Sequence, residues 1–132
     1  MGDPQYMRFP VEEYQARCNK AQELMEKKGL KGLFITGANN FTYFTGGKCY
    51  TTMNARPSPM VFPCKGDPAA ILQRFPDWNR IREIWFDDVQ VYDTMLGLPL
   101  EMTVEVMKEK GMDEGRVGVE LGYEQRMGIA LN

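Results

Sequence analysis

Two apolar patterns alternate along this chain of 132 residues. One recurs at three- and four-residue steps, as on the buried face of an amphipathic helix; the other is a short β-prone run closed by a glycine or a turn, as in a buried strand. Helices interleaved with short buried strands favour a sheet that is covered by helices on both faces. No linker or internal repeat divides the sequence, so the pattern predicts one α/β/α domain over residues 1–132.

The residues that begin and end each pattern predict the individual elements. Gly29 is placed to end the first helix in a left-handed conformation, and Asn39-Asn40 is placed to cap a short helix. Lys65-Gly66-Asp67 is expected to form the turn of an antiparallel hairpin. The predicted helices cover 10–28, 41–44, 75–83 and 99–110, and the predicted strands cover 33–36, 60–62, 69–72, 89–92 and 116–120.

The sequence contains no histidine. A Ser-His-Asp or Cys-His nucleophile, a histidine-containing zinc site and a histidine general base are therefore excluded within this chain. A phosphate-binding P-loop, with the pattern Gly-x-x-x-x-Gly-Lys-Ser/Thr, is also absent. The pair Gly47-Lys48 could end such a motif, but residue 42 is Thr where the pattern needs its first glycine. Chemistry by carboxylates, amines, hydroxyls or thiols, or binding without catalysis, remains open.

Charge and hydropathy indicate a cytoplasmic protein that contacts neither nucleic acid nor a membrane. The 16 basic and 18 acidic side chains are scattered, so the sequence has no basic patch of the kind that binds phosphate backbones. Apolar runs such as Leu33-Phe34-Ile35 are far shorter than the ~20 residues that span a bilayer. Three widely spaced cysteines without a CxxC motif predict free thiols in a reducing compartment.

Two charged residues differ from their surroundings. Arg56 lies in an irregular polar loop before Pro57, where a guanidinium is suited to bidentate capture of a carboxylate, although an ordinary exposed arginine is the simpler interpretation. Tyr50 and Asn54 share this loop and are the candidates for further polar contacts. Glu120 lies in an otherwise apolar strand, and it is expected to hydrogen-bond a neighbouring backbone in a structural role.

Five short segments form a set whose order and spacing are distinctive. They are Glu13-Tyr14-x-x-Arg17, Gly32-Leu33-Phe34-Ile35-Thr36, Asn40-x-x-Tyr43-Phe44-Thr45-Gly46, Arg56-Pro57 before Met60-Val61-Phe62-Pro63, and Gly115-Arg116-Val117-Gly118-Val119-Glu120. Together they resemble the N-terminal domain of the creatinase and Xaa-Pro peptidase family, and the Asn-x-x-Tyr-Phe-Thr-Gly segment carries most of the resemblance. The family implies a three-layer α/β/α fold with a mixed sheet of five or six strands, similar to the ribonuclease H motif.

The resemblance also implies that catalysis belongs to a second, C-terminal "pita-bread" domain. There the peptidases hold a pair of metal ions with two Asp, one His and two Glu, whereas creatinase uses a His without metal. For this chain, the resemblance implies no catalytic residue, no metal site and no cofactor. For the parent protein, it implies a hydrolase acting on C–N bonds, with two divalent ions, Mn, Co or Zn, in the missing domain if it is a peptidase.

The family further implies a role in assembly and substrate contact, because its N-terminal domain contributes to oligomers and reaches over a partner's active site. The creatinase arginine that contacts the substrate carboxylate lies four residues before a Met-Val pair, and Arg56 stands in that relation to Met60-Val61. The resemblance therefore favours Arg56, with Asn54 and Tyr50, as substrate-binding residues.

The partners that follow are the chain's own C-terminal catalytic domain, a second copy in a homodimer, and a small substrate. That substrate is a dipeptide, a cyclic amide or another small amide or amidino compound. The alternative function is a protein- or peptide-binding module of a peptidase-like protein that has lost activity, as in a histone-chaperone subunit.

Overall fold

The computed structural model describes residues 2–48, 57–74, 78–94 and 97–121. Each predicted helix and strand has a counterpart there, in the predicted order. The elements are α1 (Val11–Lys28), β1 (Gly32–Ile35), α2 (Ala38–Thr45), β2 (Met60–Pro63), β3 (Ala69–Gln73), a 3-10 helix (Trp78–Glu83), β4 (Val89–Tyr92), α3 (Leu100–Glu109) and β5 (Val117–Val119).

The strands form one mixed sheet of five strands in the order β4-β3-β2-β1-β5. Strand β2 runs antiparallel to both β1 and β3, whereas β5 is parallel to β1 and β4 is parallel to β3. The predicted hairpin between β2 and β3 is confirmed, and Gly66 in its turn has a φ of 87°, which glycine adopts without steric cost.

Helices cover both faces of the sheet, as the α/β/α prediction requires. Tyr14 of α1 and Phe41 of α2 are buried on one face together with Phe62 of the sheet. Val106 of α3 is buried on the other face against Val61. Every residue of β2 and β3 is buried, because the residues on both sides of these central strands face a layer of helices.

Two helix boundaries show where local signals succeed and fail. Gly29 ends α1 in the left-handed region with a φ of 64°, as predicted. The predicted cap of the second helix is wrong: α2 begins at Ala38, its N-cap residue is Gly37, and no side chain of its own caps it. No helix in the described ranges has the length and apolar character needed to span a bilayer.

The directions of the strands place four strand ends on one side of the sheet. Because β1, β3, β4 and β5 are mutually parallel in direction, their last residues lie along the same edge, where β2 begins. We call this the carboxyl edge. It is marked by Ile35, Met60, Gln73, Tyr92 and Val119. The carboxyl ends of strands in open α/β sheets are the usual location of ligand sites.

Candidate functional site

The three predicted substrate-binding residues, Arg56, Asn54 and Tyr50, lie outside the described residues. The described residues on either side of their segment are both anchored. Before it, the backbone N–H of Lys48 donates a hydrogen bond to the Glu83 carboxylate at 3.0 Å.

After that segment, Pro57 is held at the carboxyl edge. The Tyr92 hydroxyl donates a hydrogen bond of 2.7 Å to the Pro57 carbonyl oxygen. Tyr92 is the last residue of β4, whereas Pro57 precedes β2, so this hydrogen bond passes over the intervening end of β3. The chain therefore returns from the predicted substrate loop at the edge where strand ends favour ligand sites.

Gln73 supplies a buried acceptor at the same edge. It ends β3, pairs with Tyr92 in the parallel register, and is only 2% exposed. Its Oε1 atom has no hydrogen-bond partner in the part of the chain that the structure describes. An unpaired buried acceptor costs about 1–3 kcal/mol, so such groups are rare and are often retained where a protein uses them.

Glu120 organises the end of β1 and the start of α2. Its carboxylate accepts hydrogen bonds from the backbone N–H of Thr36 at 2.6 Å and of Gly37 at 2.5 Å, and from the Asn40 side-chain amide at 2.5 Å. A carboxylate near the first turn of a helix also interacts favourably with the helix dipole. The predicted structural role of Glu120, a hydrogen bond to a neighbouring backbone, is confirmed.

Arg17 joins two of the segments that form the distinctive set. Its guanidinium carbon lies 4.5 Å from the ring centroid of Tyr43 and 5.2 Å from that of Tyr14, and its Nη1 donates to the Tyr43 carbonyl oxygen at 3.0 Å. Arg17 also forms an ion pair with Glu13, four residues earlier on α1, at 3.0 Å. These contacts connect α1 to α2 and bring together the residues at positions 13, 14, 17 and 43.

Among the described residues, the Cys18 thiol is buried and the acidic side chains form no metal-binding group. Cys18 is buried, and its burial raises the thiol pKa to about 12, with a further contribution from Asp67, so the thiol stays protonated at neutral pH. Cys18 and Cys64 are free thiols, as predicted. The described ranges hold no group of three or more Cys, Asp or Glu side chains placed to bind a metal ion.

Comparison with known proteins assigns the chain to a family. A family model described as the creatinase/prolidase N-terminal domain matches residues 17–129. The chain belongs to this family. The resemblance inferred from the five segments is therefore confirmed. A sequence comparison with curated proteins finds no significant match.

Solved peptidase structures contain a similar domain. The dipeptidase PepE from Mycobacterium ulcerans matches with a TM-score of 0.61 and 25% identity, over 76% of this chain and 27% of that chain. The recombinant prolidase from Thermococcus sibiricus matches with a TM-score of 0.66 and 25% identity, over 81% and 28%.

A dipeptidase from Pyrococcus horikoshii shares the fold, with a TM-score of 0.66 and 20% identity over 79% of this chain and 28% of that chain. The creatinase/prolidase N-terminal domain described here thus spans little more than a quarter of the length of each of these three peptidase chains.

Several residues of this domain carry no sequence signal for the contacts they make. Gln73 and Tyr92 gave no signal, because a polar residue at a strand end is ordinary. The sequence predicts that Asn40 helps to cap α2, whereas its side-chain amide donates a hydrogen bond to Glu120. The isolated charge of Glu120 in an apolar strand was the one signal that pointed to this interaction.

Proposed function

We propose that this chain is the non-catalytic N-terminal domain of a creatinase-like or Xaa-Pro-peptidase-like hydrolase. The observation that supports this function best is the family match over residues 17–129, combined with its extent: the similar domain makes up 27–28% of longer dipeptidase and prolidase chains. The absence of histidine agrees with a catalytic centre located outside this domain. In this proposal, the parent cleaves a C–N bond as an Xaa-Pro dipeptidase, an aminopeptidase P or a creatinase.

Within this function, Arg56 binds the carboxylate of the substrate, and Asn54 and Tyr50 supply polar contacts. A guanidinium forms paired, charge-assisted hydrogen bonds with a carboxylate, which orient the substrate as well as hold it. Two described features support this role. Pro57, the next residue, is anchored to Tyr92 at the carboxyl edge, and Gln73 carries an unpaired acceptor at the same edge.

The remaining properties of the parent follow from the same proposal. The domain contributes to a homodimer, in which it reaches over the active site of the partner subunit and restricts access to that site. The substrate is a dipeptide or another small amide, and two divalent ions, Mn, Co or Zn, are held by the catalytic domain in a peptidase parent. The protein acts in the cytoplasm.

The role of Arg56 is tested in a polypeptide in which this chain precedes its peptidase domain. We expect Arg56→Ala to lower kcat/KM by an amount equivalent to about 1.5–3 kcal/mol of transition-state stabilisation, the scale of a lost hydrogen bond to a charged group. The melting temperature should not change. Arg56→Lys should recover only part of the loss, because lysine keeps the charge but not the bidentate geometry. The control is Lys65→Ala, whose side chain is 84% exposed in the hairpin turn at the other end of β2 and β3. Unchanged kinetics in Arg56→Ala would contradict the assigned contact.

The non-catalytic character is tested with the 132-residue chain alone. We expect no hydrolysis of an Xaa-Pro dipeptide or of creatine above background with added manganese, and turnover would contradict the proposal. The coding sequence downstream separates it from the alternative. A following domain with the Asp, Asp, His, Glu, Glu set indicates a peptidase, whereas a peptidase-like domain without a catalytic set indicates the protein- or peptide-binding module.

A further inference from the structure

A groove on the helical face that carries α1 and α2 has no role in the function proposed above. It has a volume of about 930 Å³ and lies between the N-terminal segment, α1 and α2. We call it the aromatic groove. Its lining includes Tyr6, Arg8, Phe9, Arg17, Tyr43 and Lys48.

Aromatic rings are exposed along this groove. Tyr6 is 50% exposed, Phe9 is 42% exposed and Tyr43 is 50% exposed. Single exposed apolar residues are common on soluble proteins, but a group of them around one concave surface marks an interaction site. Tyrosine and arginine are also the residue types that dominate the binding energy of protein interfaces.

Two of the three rings are held in fixed positions before anything binds. The Arg17 guanidinium carbon lies 4.8 Å from the ring centroid of Phe9 and 4.5 Å from that of Tyr43. Arg17 is itself fixed by its ion pair with Glu13 and its hydrogen bond to the Tyr43 carbonyl oxygen. Because rigid rings lose little conformational entropy on binding, a larger share of the contact energy is available for affinity.

Positive charge surrounds the rings. Arg8 and Lys48 line the groove with exposed side chains, and neither has an ion-pair partner among residues 2–48, 57–74, 78–94 and 97–121. Arg82 adds a further cation, with its guanidinium carbon 5.7 Å from the Tyr6 ring centroid. The lining carboxylate of Glu83 accepts the backbone N–H of Lys48. The groove is therefore positive on a chain whose formal net charge is −2.

We propose that the aromatic groove binds an acidic peptide segment of a partner protein. The apolar side chains of the segment pack against Tyr6, Phe9 and Tyr43, and its carboxylates interact with Arg8 and Lys48. Complementary charge selects such a partner over a basic one and speeds their association, while the rings supply the apolar contact. The proposal depends neither on Arg56 nor on the activity of the parent.

A second copy of the chain also carries acidic and exposed apolar side chains on one surface, so it must be distinguished from a foreign partner. Helix α3 carries Glu101, Glu105 and Glu109 at four-residue steps, next to Leu100 and Val104, which are 66% and 48% exposed. This helix lies on the opposite face of the sheet from the groove. A contact between the two surfaces would therefore be head-to-tail, which tends to produce open chains of molecules rather than a closed dimer.

The direct test is fluorescence anisotropy of labelled peptides titrated with the complete chain. The probe is a peptide of four Glu-Glu-Leu repeats, and the matched peptides are four Glu-Glu-Ser repeats and four Lys-Lys-Leu repeats. We expect the first peptide to bind at least about tenfold more tightly than either matched peptide, because only it satisfies both the cations and the rings. Equal binding of the Glu-Glu-Ser peptide, or no binding of the Glu-Glu-Leu peptide, would overturn the proposal.

Variants locate the binding on the groove. The double variant Arg8→Glu with Lys48→Glu should reduce the affinity for the Glu-Glu-Leu peptide at least about tenfold. The control variant Lys27→Glu with Lys108→Glu changes the net charge equally and should leave this affinity unchanged. Tyr6→Ser should reduce the affinity for the Glu-Glu-Leu peptide but not the affinity for the Glu-Glu-Ser peptide. Circular dichroism checks that each variant is folded.

Sedimentation velocity of the chain alone then separates the two occupants. Self-association that disappears in the Arg8/Lys48 variant and also in a Glu101→Lys, Glu105→Lys variant would show that the groove holds a second copy, which contradicts a foreign partner. A loss of binding in the Lys27/Lys108 control equal to that in the Arg8/Lys48 variant would show non-specific attraction, which also contradicts the proposal.

Discussion

The carboxylate of Glu120 lies 2.6 Å from the backbone nitrogen of Thr36, a residue 84 positions earlier in the chain. The same carboxylate accepts the N–H of Gly37 and the side-chain amide of Asn40. The residue that follows the edge strand β5 thus stabilises both the end of β1 and the beginning of α2. This interaction replaces a local helix cap with a contact between distant parts of the sequence.

We expect Glu120→Ala to lower the free energy of unfolding by about 1.5–3 kcal/mol, the usual scale for hydrogen bonds to a charged group. Urea unfolding followed by circular dichroism measures this change. Glu120→Gln should lower the free energy of unfolding by a smaller amount, because the glutamine amide oxygen still accepts hydrogen bonds, although it carries no charge. The control is Glu114→Ala, an exposed glutamate before β5.

A second variant tests the same contact from the opposite side. A Cβ added at Gly37 would lie 2.6 Å from Oε1 of Glu120, so Gly37→Ala should displace the carboxylate. The double variant Gly37→Ala with Glu120→Ala should then be destabilised by less than the sum of the two single effects, since both substitutions remove the same interaction. Additive effects would show that Gly37→Ala does not act through the Glu120 carboxylate.

Asp88, just before β4, forms an ion pair with Lys110 at the end of α3, with 2.6 Å between Oδ2 and Nζ. Partial burial alone would raise the Asp88 pKa, but hydrogen bonds from Lys110 and Gln90 outweigh it and hold the pKa below its ordinary value. Because the native pKa is below the unfolded one, the pair stabilises fully above the unfolded pKa of about 3.9. This stabilisation is lost as the pH falls through the native pKa.

We therefore expect Lys110→Met to cost about 1–2 kcal/mol of unfolding free energy at pH 7, since the pair is only partly exposed. The difference from the unmodified chain should shrink as the pH falls below about 4. Urea unfolding between neutral and acidic pH gives both values. A cost that did not change with pH would show that Lys110 acts through packing and not through Asp88.

Arg17 should contribute to stability through its aromatic contacts and its hydrogen bonds together. We expect Arg17→Met, which keeps an apolar stem of similar length, to reduce the free energy of unfolding by about 1–3 kcal/mol. Arg8→Met is the matched control, because Arg8 lines the same groove with an exposed side chain. Equal effects of the two substitutions in urea unfolding would contradict the role assigned to the stacked guanidinium.

The two free thiols of the described ranges should differ in reactivity. Burial raises the pKa of Cys18 to about 12, so very little thiolate forms below that pH, whereas Cys64 is only partly buried. In a Cys49→Ser background at pH 8, we expect a disulfide reagent to label Cys64 first and Cys18 only after unfolding. Mass spectrometry of the labelled peptides measures the order. Rapid labelling of Cys18 in the folded chain would contradict its burial.

The elements of the fold could be predicted because their signals are local. The apolar stripe of α1, the left-handed Gly29 and the hairpin turn at Gly66 each depend on residues close together in sequence. The substrate loop could be predicted only from the family resemblance, because an arginine in a polar loop has no local signal for binding. Its residues lie outside the described part of the chain and stay a prediction.

The cap of α2 shows why other features could not be predicted. Asn39 and Asn40 have the side chains that usually cap helices, yet the helix begins before them, at Ala38. The carboxylate of Glu120 binds the N–H groups of Thr36 and Gly37 just ahead of that start. Nothing near residue 38 in the sequence indicates that this distant residue would arrive there.

By itself, the sequence determined the order of helices and strands, the burial of both sheet faces and the family, because periodicity, turn residues and motif spacing act over short stretches of chain. Only the tertiary structure decided which distant groups meet. The contact of Glu120 with α2, the stacking of Arg17 on Phe9 and Tyr43, and the reach of Tyr92 to Pro57 all depend on strand order and helix packing. These side-chain contacts form only when burial of the apolar faces has brought the elements together, so no local pattern in the sequence records them.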